Sequence, residues 1–131
     1  REWLHGFCSR QSRSRFQMTQ DCLFCKIANK QIPADIVFED EQVIAFRDIS
    51  PQAPVHQLII PKRHITTLND VTTDDRALLG HMVYRANQLA ATEKLSAPGY
   101  RLVMNCNQDG GQTVFHIHLH LLGGRQLTHF G

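Results

Sequence analysis

Residues 114–122 read "VFHIHLHLL", with histidine at 116, 118 and 120 and an aliphatic residue at 117, 119 and 121. Strict alternation is the signature of a β-strand, whose side chains point to opposite faces in turn. Glycine pairs on both flanks and the Val, Phe and Ile content favour the strand over a helix. A chain with this segment must therefore bury an apolar face made of Ile117, Leu119 and Leu121 while lining the other face with three imidazoles. The burying layer is visible upstream. Leu78, Leu79, Met82, Val83, Ala86, Leu89 and Ala90 recur at helical spacing and predict one long helix over residues 74–94. Thr72 with Asp75 resembles a capping box at its start, and Pro98 with Gly99 closes it.

The other elements follow from turn chemistry. "DCLFCKIANKQIP" predicts a short helix ended before Pro33, and "DIVFED" and "VIAFRDI" predict two strands joined as a hairpin. "SPQAP" is a loop, because two prolines so close exclude regular structure, and "VHQLIIP" is a third strand ended by Pro61. "YRLVMNCN" reads as a strand, "QDGGQ" as a glycine turn, and "TVFHIHLHLL" as the last strand. The expected fold class is α+β: an antiparallel sheet of about five strands with one long helix packed across it. Residues 21–131 form one domain, since a chain of 131 residues has the length of a single core.

Residues 1–20 stand apart, with four arginines against one glutamate, whereas the remainder has ten Lys and Arg against eleven Asp and Glu. This leader lacks the apolar stretch of a secretory signal and is expected to be disordered; an organellar targeting peptide, an appended remnant and sequence before a start at Met18 all fit it. Without it the chain is near neutral, so no basic nucleic-acid footprint is expected, and no apolar run suits a membrane span. Four cysteines without a secretory signal indicate a reducing compartment, taken as the cytoplasm. There Cys22-x-x-Cys25 reads as a metal pair, a redox pair or two small apolar fillers.

Three chemistries compete for the histidines. One is a solvated polar face, which suits a single histidine better than three in register. Another is a metal site, but neighbours along one strand lie ~7 Å apart and fan out too far for three short bonds to one ion. The third is nucleophilic catalysis at phosphorus, where imidazole is both nucleophile and leaving group and its neighbours donate hydrogen bonds to the transition state. The nearby glycines suit close approach of the backbone to phosphate. This third reading fits best.

"HIHLHLL" resembles the signature of the histidine triad superfamily, and "FRDISPQAPVHQLIIPKRH" with "NCNQDGGQTVFHIHLHLLGGRQ" is similar to its Hint branch, the purine nucleoside phosphoramidases. The resemblance spans residues 21–128. It implies that His118 is the nucleophile, that His120 and His56 hold phosphoryl oxygens and manage protons, and that the His116 carbonyl orients the His118 ring. It implies an α-phosphate cradle from Asn105, Gly111, Gln112, Thr113 and Val114. It places Asp48 on the ribose hydroxyls, with Ile49, Phe24, Ile27, Phe46 and Leu58 around the purine. A carboxylate is well suited to accept from a vicinal diol, which fits Asp48 better than the alternative of a loop cap, whereas Phe46, Ile27 and Leu58 equally suit plain core.

Some members of the superfamily with a similar start bind zinc, and the matching set is Cys22, Cys25, His64 and His116, a closed structural site; catalysis itself needs no cofactor. The resemblance further implies a homodimer with the sheet extended across subunits. Thr113 stands where serine is usual, and the tail "QLTHFG" has Phe130 where a tryptophan is expected nearby. The expected function is hydrolysis of the P–N bond of adenosine or guanosine phosphoramidates, and of acyl-adenylates, through a nucleotidyl-histidine. Diadenosine polyphosphate hydrolysis and a purine-nucleotide-binding regulatory scaffold remain as alternatives.

Overall fold

The computed structural model describes residues 21–131, so the leader expectation for 1–20 lies outside the described residues. The element order is α1 (Leu23–Ala28), β1 (Ile36–Glu39), β2 (Val43–Arg47), β3 (Val55–Pro61), α2 (Arg76–Thr92), β4 (Tyr100–Val103), α3 (Asn107–Gly110) and β5 (Leu119–Gly123). The strands form one antiparallel sheet in the order β1-β2-β3-β5-β4. The expected α+β layering is present, with α2 on one face.

Alternation along the central strands divides the interior in two. Val43, Ala45, Ile59, Leu119 and Leu121 pack with Leu78, Met82, Ala86, Leu89 and Ala90 of α2. On the opposite face Ile44, Phe46, Leu58 and Ile60 pack with Phe24, Cys25 and Ile27 of α1. A small helix thus covers half of the face that carries the histidines. Cys22 is the N-cap of α1, its sulfur accepting from the Cys25 N–H. The helix breaks where Lys30 takes a positive φ of 62°.

Thr72 and Asp75 do form a reciprocal capping box, but it caps a 3₁₀ turn, Thr73–Asp75, that leads into α2. The helix therefore starts at Arg76 and not at 74. Val83, assigned to the apolar stripe, is 47% exposed beside an exposed Tyr84. The glycine turn contains the single-turn helix α3, closed by Gly111 in the left-handed region at φ 88°.

The main departure lies in the last strand, which was expected over 113–122 and begins only at Leu119. The β3–β5 register pairs Ile59 with Leu119. Continuing it would bring residue 117 against Pro61, which has no N–H to give. The Pro61 carbonyl instead accepts from the His116 ring, and the Ile117 N–H bonds the Ile65 carbonyl. Face alternation survives this loss of the ladder: Ile117 joins the α2 core, while His116 and His118 meet Phe24 on the α1 side.

Candidate active site

The histidines gather where β3 and β5 lie side by side. Leu58 pairs with His120 and His56 with Leu122, so both imidazoles project to the α1 face. The His56 and His120 rings lie 5.2 Å apart, His120 and His118 5.0 Å, and His118 and Phe24 5.0 Å edge to face. His116 is fully buried and faces His64 at 5.1 Å.

Hydrogen bonds to main-chain groups settle which nitrogen of each neutral ring carries its proton. The His118 Nδ1 lies 2.8 Å from the His116 carbonyl, an acceptor, so Nδ1 holds the proton and Nε2 keeps its lone pair. His116 Nε2 lies 2.8 Å from the Pro61 carbonyl and holds its proton there, which leaves Nδ1 as a bare donor atom. His56 is polarised the other way. Its Nδ1 accepts from the Gln52 N–H at 3.0 Å, so its proton sits on Nε2 and is donated to His120 Nδ1 at 2.9 Å. His120, accepting at Nδ1, then carries its own proton on Nε2. One face of the sheet thus presents a lone pair on His118 and an N–H on His120.

Burial keeps these rings neutral. His118 and His56 titrate below the usual imidazole value, in each case chiefly through desolvation, with the Asp48 charge pulling both back up. His120 is pushed down to about 4 by desolvation and then by repulsion from His118 and His56. A neutral imidazole is the form that attacks phosphorus.

Two ligand-like clusters are present. Cys22, Cys25, His64 and His116 offer donor atoms that all lie within 4.8 Å of one another, as do Asp48, His56 and His120. Protonation separates them. In the first, His116 Nδ1 faces Cys22 and Cys25 sulfurs at 3.4 and 3.5 Å, and His64 Nδ1 faces Cys25 sulfur at 3.2 Å while its Nε2 meets the Thr66 hydroxyl. The Cys25 thiol hydrogen-bonds Cys22 and draws its pKa well below the usual thiol value, and the same bond with burial drives the Cys25 pKa up. A negative sulfur beside the bare His116 Nδ1, with a second sulfur and the His64 Nδ1 within reach, fits a soft divalent cation. In the second cluster His56 Nε2 already carries a proton, because its Nδ1 is held by a main-chain donor. That group is a hydrogen-bond relay.

The loop expected to cradle phosphate is tied down by its own hydrogen bonds. The Gly111 N–H bonds the Gln108 carbonyl and the Gln112 N–H bonds the Asn107 carbonyl, both closing α3. The Gln112 side chain is buried and ties the Asn107 N–H to the Thr66 and Val114 carbonyls. Gly111 and Gln112 therefore shape the loop expected to cradle phosphate. The Asn105 amide lies beside Gly111, where an added Cβ would meet its nitrogen at 3.9 Å.

Comparison with known proteins agrees with this geometry. The family model described as "Scavenger mRNA decapping enzyme C-term binding" matches residues 21–130. Purine nucleoside phosphoramidase of Escherichia coli K12 is 53% identical over 110 residues, covering 84% of this chain and 92% of that protein. The crystal structure of a HIT family hydrolase from Legionella pneumophila superposes with a TM-score of 0.81 at 64% identity, over 82% of this chain and 96% of that one. This chain belongs to the histidine triad superfamily, in its Hint branch. A zinc-bound histidine triad protein from Mycobacterium smegmatis matches at 34% identity with a TM-score of 0.71, over 82% of this chain and 77% of that one.

Within that family frame the remaining sequence-derived residues divide clearly. Asp48 lies beside the relay, with one oxygen 3.5 Å from His56 Nε2 and the other accepting from the Ser50 N–H, so it caps the loop as well. Phe24, Ile27, Phe46 and Leu58 are all buried in the layer beneath α1, and Ile49 stands 98% exposed at the rim. Three participants escaped sequence reasoning: the Pro61 carbonyl, the Gln52 N–H and the Thr66 hydroxyl. The prolines around them announced a turn, but a backbone group acting on a distant ring leaves no residue-type signal.

Proposed function

We propose that the chain hydrolyses the P–N bond of adenosine and guanosine phosphoramidates, and acyl-adenylates, releasing the nucleoside monophosphate. Its similarity to purine nucleoside phosphoramidase supports the substrate class. The observation that carries the mechanism is the 2.8 Å bond from His118 Nδ1 to the His116 carbonyl, which turns the Nε2 lone pair outward. In the first step His118 Nε2 bonds to phosphorus as the P–N bond breaks, and the leaving amine takes a proton from His120 Nε2. In the second, water attacks phosphorus, the P–N bond to His118 breaks, and the proton lost by water restores His120. Asn105, Thr113 and the Val114 backbone hold the phosphoryl oxygens, Asp48 accepts from the ribose hydroxyls, and Ile49 with Phe24, Ile27, Phe46 and Leu58 bounds the purine.

Cys22, Cys25, His64 and His116 would hold zinc, which would supply structural cross-linking between α1 and the segment before β5. The chain would work as a homodimer in a reducing compartment; exposed Val83 and Tyr84 on α2 and the edge position of β4 support the pairing. Steady-state hydrolysis of an adenosine phosphoramidate beside a diadenosine polyphosphate tests the reading. Faster turnover of the phosphoramidate is expected, abolished in His118→Asn with AMP binding kept within roughly tenfold, because the variant loses the covalent route but few ground-state contacts. Preferred cleavage of the polyphosphate would favour the related hydrolase, and binding without turnover a regulatory scaffold.

A further inference from the structure

The direction of the relay is set from outside it. A neutral imidazole has one N–H and one lone pair, and swapping them on His56 would reverse everything downstream. With the proton on His56 Nδ1, Nε2 would become an acceptor, His120 Nδ1 would donate to it, and His120 Nε2 would meet the substrate as a lone pair. A lone pair repels a phosphoryl oxygen and has no proton to give the leaving amine. The Gln52 N–H, 3.0 Å from His56 Nδ1, opposes this state because two hydrogens cannot face one another, and the Asp48 carboxylate, 3.5 Å from His56 Nε2, disfavours a lone pair there as well.

Gln52 lies in an exposed loop, and beyond its N–H bond to His56 of β3 it is held through its carbonyl, on the following peptide. What fixes it is the segment after β5. The Gln52 carbonyl accepts from Arg125 Nη2 at 2.9 Å, and the Arg125 Nη1 bonds the Gln126 carbonyl, so the guanidinium ties the loop to the chain that leaves the sheet. Gly124, at φ 99°, permits the approach: a Cβ there would lie 2.8 Å from the Pro54 Cβ. The Gln52 side chain closes the loop on the Ser50 carbonyl at 3.0 Å. Arg125 is exposed, and its hydrogen bonds go to the main-chain carbonyls of Gln52 and Gln126.

We propose that Arg125 is a positioning residue that acts through the Gln52 main chain to fix which nitrogen of His56, and hence of His120, carries the proton. It makes His120 a donor at Nε2. The catalytic consequence rests on the function proposed above; the tautomer assignment does not.

The test reads both quantities on the full chain with ¹⁵N-labelled histidine at neutral pH. Long-range ¹H–¹⁵N correlation is expected to show His56 and His120 each protonated at Nε2. In Arg125→Ala, with the fold checked by its amide spectrum, the His56 signals should move toward mixed or Nδ1 protonation. The kcat for adenosine phosphoramidate should fall about tenfold, a fraction of the ~10²–10⁴ that general acid–base assistance carries, with KM little changed. Arg125→Lys, which keeps one donor, should restore part of both. Gln52→Pro deletes the N–H itself and should give the same tautomer change with Arg125 intact. An Nδ1-protonated His56 in the unaltered protein overturns the proposal whatever the activity, as does a kcat loss in Arg125→Ala with the tautomers unmoved. A protein with the expected tautomers that fails to cleave phosphoramidates would overturn the proposed function and leave the tautomer assignment standing.

Discussion

At the scale of residues, the site is defined less by which side chains are present than by which of their atoms are engaged. Asp48 illustrates this. Sequence reasoning left it between a ribose ligand and a loop cap, and the carboxylate has an oxygen for each: one accepts from the Ser50 N–H, while the other stands 3.5 Å from His56. Asp48→Asn keeps the cap acceptor but removes the charge. It is expected to weaken ribonucleotides by ~1–3 kcal/mol, the scale of a hydrogen bond to a charged group, and to leave 2′,3′-dideoxy analogues nearly unaffected. Titration calorimetry with both nucleotide types checks this, and equal losses would assign Asp48 to the loop alone. Gly111 and Gln112 make the opposite point. Their residue types suggested phosphate donors, yet both N–H groups close α3. Residue type reports what a group is able to do, and the hydrogen bonds it already makes report how it is engaged.

At the scale of elements, the period-two pattern identified the correct faces and overran the correct strand. The side-chain pattern depends on extended backbone, whereas the strand depends on a partner, and Pro61 removes that partner before residue 118. The long helix was legible because burial of Leu78, Met82, Ala86 and Leu89 demands its period. What α1 does was less legible, since six residues carry too short a pattern. In the structure α1 covers Phe46, Leu58 and Ile60, with Phe24 against His118. Its fixing points are Cys22 and Cys25 beside His64 and His116, one of whose groups also orients His118. Zinc at this cluster would bind only the folded chain, so about one zinc per chain is expected after purification without added metal. Chelation should lower the melting temperature, because binding energy at a structural site is folding energy. Turnover by the chelated but folded protein should persist, since His116 acts on His118 through its carbonyl and not its ring. Elemental analysis, thermal melts and assay before and after chelation test each part; abrupt loss of activity with α1 still packed would place the metal in the chemistry.

At the scale of the whole molecule, the buried histidines and the acidic clamps give acid sensitivity of one sign in two successive windows. His120 titrates at about 4 in the fold, and His56 also lies below its usual value, both through desolvation first. Unfolding returns each ring to water and to a pKa near 6.5. Between these limits the unfolded chain binds more protons than the folded one, so stability falls as pH falls, by up to ~1.4 kcal/mol per pH unit for each such group. Carboxylates extend the trend below that range. Asp40 accepts from the backbone N–H groups of Gln42 and Val43 and from His81 and Arg85, which outweigh its partial burial and hold its pKa below the ordinary carboxylate range. Its contribution is intact above about pH 4 and lost as pH drops further, loosening the β1–β2 turn from α2. Urea unfolding of the chelated protein, which excludes metal release as a cause, should therefore show a midpoint that declines more steeply from pH 6.5 to 4 than above pH 7.5, where the depressed Cys22 thiol is the group still contributing. A second decline should follow below pH 4, with Asp40→Asn reducing only that part. A midpoint that rises between pH 6.5 and 5 would mean that His56 and His120 gain protons on folding, and the neutral relay assigned to them would be wrong.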